Sequence, residues 1–461
     1  MLLEEEVAVN TVVTLPKSKS RARRMGLIPL IAATYFMVSG GPYGIEDILG
    51  GAGYGKALII LLLFPFLWSF PTTLMLGELA SAIPSEGGFY VWVRRALGPF
   101  WGYQEAWLSL TASIFDMAIY PTIFVLYLGK FFPAWTTGSR SIVWELALVT
   151  ACCLWNLCGA PAVGRGSVTL FVILLTPFAI LTVLALLHGP HWHERATAFT
   201  GGSLSTAVIV ALWNYMGWDN ASTVAEEVKD PRRNYPLAMM GSAALVAISY
   251  ILPVAAVAYA GISIEKFSTG SWTDAARTLG GPLLAGAIVL CGTISGLGMF
   301  NALVLSYTRL PMVLAQDGML PTWLALRNKR GVPWAAIIVC GIAWAAALGF
   351  RFEELISIDL ILYGTSLILE FVALAVLRFK EPDLPRPFRA GNLFMACTLG
   401  IPPAILILYV MYAARDERMA HMPALLFGLL IALAGPVFYW ISRKCWGHKA
   451  LNESALAPSG D

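Results

Sequence analysis

Carboxylates stand in segments that are otherwise apolar, at positions 46, 47, 116 and 219: Glu46, Asp47, Asp116 and Asp219. A charged acid at the centre of a bilayer costs roughly 2.5–3.5 kcal/mol on insertion scales. No lysine or arginine stands in the middle of these segments to offset that cost. Acids in such surroundings carry a proton, bind a metal ion, or accept a cationic ligand such as an ammonium group.

The four acids differ in what else could explain them. Glu46 and Asp47 are neighbours, about 100° apart on a helix, so at most one points squarely into a shared cavity. Both are also expected in the first turn of a helix, where an acid complements the dipole, so capping and ligand contact remain equal alternatives. Asp219 could likewise cap a helix. Asp116 has no capping role, although it can bond Tyr120 one turn later.

Two interruptions accompany the acids, in VSGGPYGIEDILG (38–50) and in NYMGWDNAST (214–223). They fall in predicted spans one and six, which correspond if spans 1–5 and 6–10 are repeats, and such paired interruptions point to a transporter site. The alternative is a pair of glycine kinks that allow close helix packing. The residues expected at the site beside the acids are Ser39, Gly40, Gly41, Tyr43, Gly44, Asn214 and Trp218, with the two aromatic rings facing an ammonium group.

Composition indicates a chain built largely inside a lipid bilayer. Hydrophobic residues make up 58% of the 461 residues and charged residues 13%, with a mean hydropathy of +0.70. Soluble domains carry roughly 25% charged residues, so this low share indicates a polytopic membrane protein. At about 20 apolar residues per span, the sequence predicts twelve transmembrane helices, centred near residues 40, 70, 115, 150, 177, 213, 249, 298, 341, 366, 403 and 432.

The distribution of lysine and arginine predicts the orientation. Most of the 31 basic residues fall in the tails or in loops on the same side of the membrane as the tails. The positive-inside rule then places both termini in the cytoplasm, in a plasma or inner membrane. The net charge of +3 therefore reflects topology and not a nucleic-acid partner. The predicted segments are a tail at 1–25, spans one to five at 26–190, spans six to ten at 200–380, two further spans at 391–443 and a tail at 444–461; residues 26–190 and 200–380 are a first and a second repeat if their spans correspond.

The remaining motifs do not indicate an enzyme or a cofactor. HGPHWHE (188–194) has residue types that bind zinc, but it lies in a predicted external loop and is interpreted as interfacial. PSEGG lacks the Lys-Ser/Thr of a phosphate-binding loop, and no nucleophile elbow or metalloprotease motif occurs. Glu78 and Glu370 are expected to make polar contacts on the cytoplasmic side. No cysteine falls in a predicted external loop, so no extracellular disulfide is expected.

Several longer segments together resemble the amino acid–polyamine–organocation superfamily of secondary transporters, from about Arg24 to Lys444. They are SGGPYGIED, ELASAIPSEGGFYVWVRRALGPFWGYQEAW, WDNASTVAEEVKDPRRNYPLAM, RLPMVLAQDGMLP and KEPDLPRPFR. Within the superfamily the chain looks most similar to the polyamine-uptake branch best known in plants, which is related to the L-type amino acid transporters. That likeness rests on GGPYGIED, on Asp116 ahead of a Tyr-Pro pair, and on Asp219, where L-type transporters typically carry Asn.

The resemblance implies an all-α polytopic membrane fold with a LeuT-like five-plus-five inverted repeat, broken helices one and six, and alternating access. We expect import of a cationic amine such as putrescine or spermidine. Asp219 and Asp116 are the expected ammonium partners, Glu46 or Asp47 a third, and Trp218 and Tyr43 the aromatic walls.

A proton is the expected coupling ion, with sodium as the alternative. The loop between spans three and four has no cysteine, so we expect no disulfide-linked heavy chain. An amino-acid transporter of the same fold is the nearest alternative, in which the glycine-rich interruption binds a carboxylate and Asp219 binds the amine or a proton. A ligand sensor without turnover and a channel are the remaining alternatives.

Overall fold

The computed structural model describes residues 24–190, 203–263, 267–350, 352–419 and 421–455. These residues are almost entirely helical, with one short two-stranded antiparallel ribbon. Most of the N-terminal tail, the end of the C-terminal tail, and His191, His193 and Glu194 of the HGPHWHE motif lie outside the described residues.

Eight α-helices make up the described chain before residue 190. Their bounds are α1 (Leu27–Val38), α2 (Glu46–Phe64), α3 (Phe70–Ala82), α4 (Gly88–Leu97), α5 (Pro99–Phe131), α6 (Pro133–Thr136), α7 (Arg140–Asn156) and α8 (Ala160–His188). A π-helical turn, Pro65–Ser69, joins α2 to α3 without a loop. Prolines at the start of α5 and α6 suit a first turn, whose N–H groups have no helical acceptor.

Nine α-helices and the ribbon follow residue 203 among the described residues. The helices are α9 (Leu204–Asn214), α10 (Pro231–Tyr259), α11 (Trp272–Tyr307), α12 (Arg309–Gln316), α13 (Trp334–Ala346), α14 (Phe352–Lys380), α15 (Leu393–Thr398), α16 (Ile401–Ala413) and α17 (Ala424–Ala455). Short 3₁₀ helices span Trp218–Thr223, Ala225–Glu227, Thr322–Ala325 and Ala414–Asp416, and the ribbon strands are β1 (Arg418–Met419) and β2 (Met422–Pro423).

Eight helical stretches among the described residues are long and apolar enough to cross a membrane. They are Glu46–Ala82, Pro99–Phe131, Ala160–His188, Pro231–Tyr259, Trp272–Gln316, Glu354–Lys380, Leu393–Ala413 and Ala424–Gly447. The other four predicted spans correspond to shorter helices, α1, α7, α9 and α13. Two of these, α1 and α9, are short because the chain leaves helical geometry at the predicted interruptions. The count of twelve spans and the repeat relation stay predictions.

Helix α5 lies at the centre of the bundle and contacts α4, α7, α11, α14 and α17. In its most apolar stretch 72% of the residues are buried inside the protein, against 22% for Ala424–Gly447 in α17. Leucines such as Leu187 and Leu283 project outward, as expected for side chains that face lipid. The acids of α5 are therefore held inside protein, which is where buried polar groups can be tolerated.

The two interruptions are local changes of backbone geometry. Helix α1 ends at Val38 and α2 begins at Glu46, with Gly41 (φ 78°) and Gly44 (φ 85°) in the left-handed region between them. After α9 ends at Asn214, Gly217 (φ 91°) turns the chain into the 3₁₀ helix 218–223. Glycine adopts these angles without the steric penalty that a Cβ imposes. The helix that was expected after the second interruption is thus a 3₁₀ helix.

Candidate functional site

Asp116, in the middle of α5, accepts hydrogen bonds from two tyrosine hydroxyls. Tyr120, one turn later on the same helix, lies 2.5 Å from its Oδ1, as the sequence suggested. Tyr307, at the end of α11, lies 3.1 Å from its Oδ2. The carboxylate is 3% exposed. Hydroxyl donors orient this acid without bringing a positive charge to it.

Asp219 lies in the first turn of the 3₁₀ helix after the second interruption, and its carboxylate interacts with the backbone N–H groups of Asp219 and Asn220. The hydroxyl of Tyr363, on α14, donates to Asp219 Oδ1. The same Tyr363 oxygen accepts the backbone N–H of Gly217 at 3.0 Å. One side chain of α14 therefore holds both the acid and the turn that precedes it.

Asp359 is a third buried acid at this level, and the sequence analysis did not include it. It lies one turn before Tyr363 on α14 and is 0% exposed. Neither of its carboxylate oxygens has a hydrogen-bond partner among the described residues. It lies within electrostatic range of both Asp116 and Asp219. The signal that identified Asp116, an acid inside an apolar run, was also present in LISIDLILYG.

Buried basic side chains are paired with other acids. In the described part of the chain, Arg309 pairs with Glu227 at 2.6 Å and Arg378 pairs with Glu78 at 2.5 Å. No ion pair there involves any of the three central acids, Asp116, Asp219 and Asp359. We call these three residues the acidic trio. Their arrangement suits a ligand that brings positive charge.

Aromatic side chains lie around the acidic trio. The rings of Tyr120 and Trp213 stack, with centroids 6.2 Å apart and an interplanar angle of 27°. Trp218, which precedes Asp219, is fully buried, and its indole N–H has no partner among the described residues. Ring faces beside carboxylates are a known way to bind organic ammonium groups.

Glu46 and Asp47 lie at a different level and bind backbone. Glu46 accepts N–H bonds from Gly44 (2.7 Å) and Gly270 (3.1 Å) and a bond from the hydroxyl of Tyr127. Asp47 accepts from the N–H (3.1 Å) and hydroxyl (2.8 Å) of Thr269. Both acids therefore tie the first turn of α2 to the segment before α11.

The distance between this level and the acidic trio follows from the residue spacing along helix α5. Tyr127 stands eleven residues after Asp116, a rise of about 16 Å at 1.5 Å per residue. Tyr43 belongs to the Tyr127 level, because its ring packs edge-on against that of Tyr127 at 4.9 Å. Its hydroxyl donates to the carbonyl of Ile288 at 2.6 Å. The sequence-predicted acids thus fall into two groups that the structure does not bring together.

The residues of the first interruption make close contacts with neighbouring helices. A Cβ on Gly40 would lie 2.0 Å from Ser295 Oγ, so α11 packs directly on this backbone. Ser39 Oγ accepts the Gly41 N–H at 3.1 Å. Asn214 donates to the carbonyl of Gly44 at 3.3 Å, which links the two interruptions directly.

Ion pairs cluster at the end of the bundle that is predicted to face the cytoplasm. Glu78 binds Arg378 and also Arg386, at 3.1 Å, as expected for a polar contact there. Burial raises the pKa of Glu86, and Arg327, 2.7 Å away, opposes that shift. The expectation for Glu370 was wrong, because neither of its carboxylate oxygens has a hydrogen-bond partner among the described residues.

The chain is similar in sequence to a family of permeases and to individual transporters. The sequence profile of a family described as amino acid permease matches residues 31–435. A protein named probable polyamine transporter from Arabidopsis thaliana is 32% identical over 440 residues, covering 94% of this chain and 87% of its own length. The rice (Oryza sativa subsp. japonica) polyamine transporter PUT1 is also 32% identical, over 442 residues, with 94% and 82% covered. An uncharacterized Legionella pneumophila transporter is 26% identical over 384 residues, with 76% and 81% covered.

Proposed function

Because this chain belongs to the amino acid permease family of the amino acid–polyamine–organocation superfamily, we propose that it imports polyamines such as putrescine and spermidine. It is a multi-pass membrane transporter of a small amine. Relatives that share about a third of their residues with it over most of their length carry polyamine transporter in their names.

The acidic trio is the observation that carries this proposal. Three buried carboxylates lie within electrostatic range of one another, and the described residues supply them with neutral donors (hydroxyl, indole and backbone N–H groups) or, for Asp359, with no donor. Burying several negative charges without a cation is costly, and an ammonium group removes that cost on binding. A polyamine brings two or more such groups. Asp116, Asp219 and Asp359 are the proposed ammonium partners, with Trp218 beside them.

The first interruption supports an amine over a carboxylate as the ligand group. In related folds the N–H groups of a broken helix suit an anionic substrate group. Here the N–H of Gly41 is taken by Ser39, and the N–H of Gly44 is taken by the carboxylate of Glu46. Glu46 therefore occupies one position that a substrate carboxylate would need. We assign Glu46 and Asp47 to holding the segment near residues 269–270, outside the central amine site.

Transport follows an alternating-access cycle in this proposal. Twelve spans form a five-plus-five inverted repeat plus two additional helices, and both termini are cytoplasmic. The interruptions lie in spans one and six, and the bond from Asn214 to Gly44 supports their acting as a unit. A coupled proton and the membrane potential drive uptake. The potential alone contributes about 2.3 kcal/mol per charge per 100 mV.

An amino-acid transporter is the second candidate, and the family description favours it. The amine of a zwitterion would bind the same acidic trio, while its carboxylate would need donors. The indole N–H of Trp218, which has no partner among the described residues, is one such donor.

Uptake into proteoliposomes decides between the candidates. Labelled putrescine is offered under an inward-negative potential, with unlabelled spermidine, arginine or leucine as competitors. We expect uptake that spermidine blocks and leucine does not, and that Asp219→Asn abolishes. The matched control is Glu145→Gln, which neutralises a buried acid of α7 that lies apart from the trio. Leucine uptake without putrescine uptake would overturn the proposal in favour of the second candidate.

A further inference from the structure

A pair of buried carboxylates lies away from the acidic trio, at Glu105 on α5 and Glu370 on α14. Both are 0% exposed. Glu105 Oε1 accepts a bond from Ser109 at 2.8 Å, and its Oε2 has no partner among the described residues. Neither oxygen of Glu370 has a partner among those residues. The two acids lie within electrostatic range of each other, on helices that pack together. We call them the glutamate pair.

The glutamate pair repeats the spacing of the acidic trio. Glu105 precedes Asp116 by eleven residues, and Glu370 follows Asp359 by eleven residues. Eleven residues are close to three helical turns, so the two acids on α5 share one helix face and lie about 16 Å apart, and the same holds for the two acids on α14. On α5 the glutamate precedes the aspartate, whereas on α14 it follows the aspartate, so the two helices run antiparallel here. The glutamate pair thus lies between the trio and the end that carries the Glu78–Arg378 ion pair.

The charged and titratable groups around the glutamate pair are mostly acids and hydroxyls. Glu370 interacts electrostatically with Asp219 of the 3₁₀ helix 218–223 and with Tyr363 of its own helix. Glu105 interacts with Tyr90 of α4. Tyr90 in turn donates to Asp317 at 2.7 Å, and Asp317 also pairs with Arg94.

The nearest arginine along α14 is engaged elsewhere. Arg378 lies eight residues after Glu370, about 12 Å along the helix, and its guanidinium binds both oxygens of Glu78. The described groups that interact with the glutamate pair are Ser109, Asp219, Tyr90 and Tyr363. None of them is basic, and α3, α11, α15, α16 and α17, which also pack against α5 or α14, add no further interacting charge. The described surroundings of the pair therefore favour the binding of a small cation, and the proton is the smallest one.

We propose that Glu105 and Glu370 together hold the proton that accompanies substrate, an inference that rests on the proposed transport function. Two buried carboxylates within electrostatic range of each other cannot both stay ionised at acceptable cost in a dry interior. In this proposal the packed arrangement therefore carries one proton on the pair. When the predicted cytoplasmic end opens and water reaches the pair, the charged form is solvated and the proton leaves. Only an O–H bond forms and breaks, and the proton crosses in the same direction as the substrate.

Separating driven uptake from exchange tests this inference. With one proton per substrate, a gradient of one pH unit raises the accumulation ratio about ten-fold at fixed potential. We expect Glu370→Gln and Glu105→Gln to lose that ten-fold response. Both variants should exchange internal for external putrescine within about two-fold of the wild type, because exchange needs no net proton movement. Glu145→Gln is the matched control and should keep the ten-fold response.

The outcomes separate this inference from the proposed function. If putrescine accumulates in the wild type without any response to the pH gradient, polyamine transport stands and the proton site is wrong. If leucine is transported in place of putrescine, the same variants are compared with leucine, and a lost response in Glu370→Gln supports the site although the substrate is wrong. A Glu370→Gln variant that keeps the full response overturns the inference with either substrate.

An infrared measurement tests the site without any transport. The wild type should show the carbonyl band of a protonated, buried carboxylic acid at neutral pH. The band should lose a component in the spectrum of Glu370→Gln and stay unchanged in that of Asp47→Asn, whose parent acid is bound by Thr269. A spectrum unchanged by Glu370→Gln would count against a proton on the pair.

Discussion

Hydroxyl groups hold the central acids without pairing them with a positive charge. Tyr120 and Tyr307 bind Asp116, and Tyr363 binds Asp219, so each of these two acids has a fixed position and no cationic partner among the described residues. Asp359 lacks such donors among the described residues. It should therefore depend most strongly on the arrival of an ammonium group.

Replacing Asp359 with Asn tests that dependence. A hydrogen bond to a charged group contributes roughly 1.5–3 kcal/mol, so the KM for putrescine should rise at least about ten-fold. The amide keeps the size of the side chain, which limits packing effects. Initial rates of uptake over a range of putrescine concentrations measure the change, with Glu145→Gln as the control. An unchanged KM would exclude Asp359 from the site.

Gly44 gives a second prediction at the residue scale. Its φ of 85° is unfavourable for any residue with a Cβ, and that Cβ would lie 3.2 Å from the ring of Trp213. Gly44→Ala should destabilise the protein by about 1–3 kcal/mol and slow transport. Gly55→Ala, eleven residues later and inside α2, is the matched control, because nothing lies within 4 Å of its Cβ position. Thermal unfolding in detergent should show opposite signs, since Gly55→Ala should stabilise the helix slightly.

Site residues could be predicted from the sequence where a single physical cause, such as the cost of a buried acid, was decisive. An acid in an apolar run is costly under any fold, so Asp116 and Asp219 could be identified without a structure. Glu46 and Asp47 could not be decided, because their partners come from residues 269–270, more than 200 positions away. Asp359 and Glu370 carry the same signal as Asp116, an acid in an apolar run, but neither was predicted as a site residue.

At the scale of elements, buried ion pairs connect helices that are distant in sequence. Glu78 of α3 binds Arg378 of α14, and Arg386 in the loop that follows α14. The backbone N–H of Ala390 also donates to Glu78, at 2.8 Å. This single carboxylate therefore anchors α3, the end of α14 and the loop before α15.

Arg378→Met tests the anchor. It leaves the buried Glu78 with the more distant Arg386, and breaking a buried pair costs roughly 3–5 kcal/mol. Glu78→Gln combined with Arg378→Met should recover part of that loss, because no unpaired charge remains. Arg95→Gln, which breaks the exposed pair with Glu381, should cost at most about 1 kcal/mol. Equal unfolding temperatures for Arg378→Met and Arg95→Gln would contradict the prediction.

Hydropathy predicted the long apolar helices better than the backbone geometry at the points where they join. The long apolar helices follow directly from composition, and glycine-rich interruptions marked the ends of α1 and α9. Hydropathy did not locate the kink at Gly53 (φ 72°, ψ 165°), which divides α2 into two helical parts, nor the π-turn by which the second part continues into α3. The 3₁₀ geometry after Gly217 was missed too, since its stability depends on tertiary partners such as Tyr363.

For the whole molecule, the number of charges moved per cycle follows from the two acidic groups. Putrescine brings two ammonium groups to the trio, and the glutamate pair adds one proton. At about 2.3 kcal/mol per charge per 100 mV, three charges supply roughly 7 kcal/mol and two charges roughly 5. The reversal potential of putrescine-driven current should therefore report three charges per putrescine in the wild type and two in Glu370→Gln.

The equal spacing of acids on α5 and α14 has a mechanical consequence. Asp116 faces Asp359 at one end of a segment of about 16 Å, and Glu105 faces Glu370 at the other. If α14 tilts about a pivot midway between them, each end moves about 1.4 Å for every 10°, in opposite directions. Widening the gap at one pair then narrows the gap at the other. If both helices stay rigid, the substrate site and the proton site therefore cannot open between α5 and α14 at the same time.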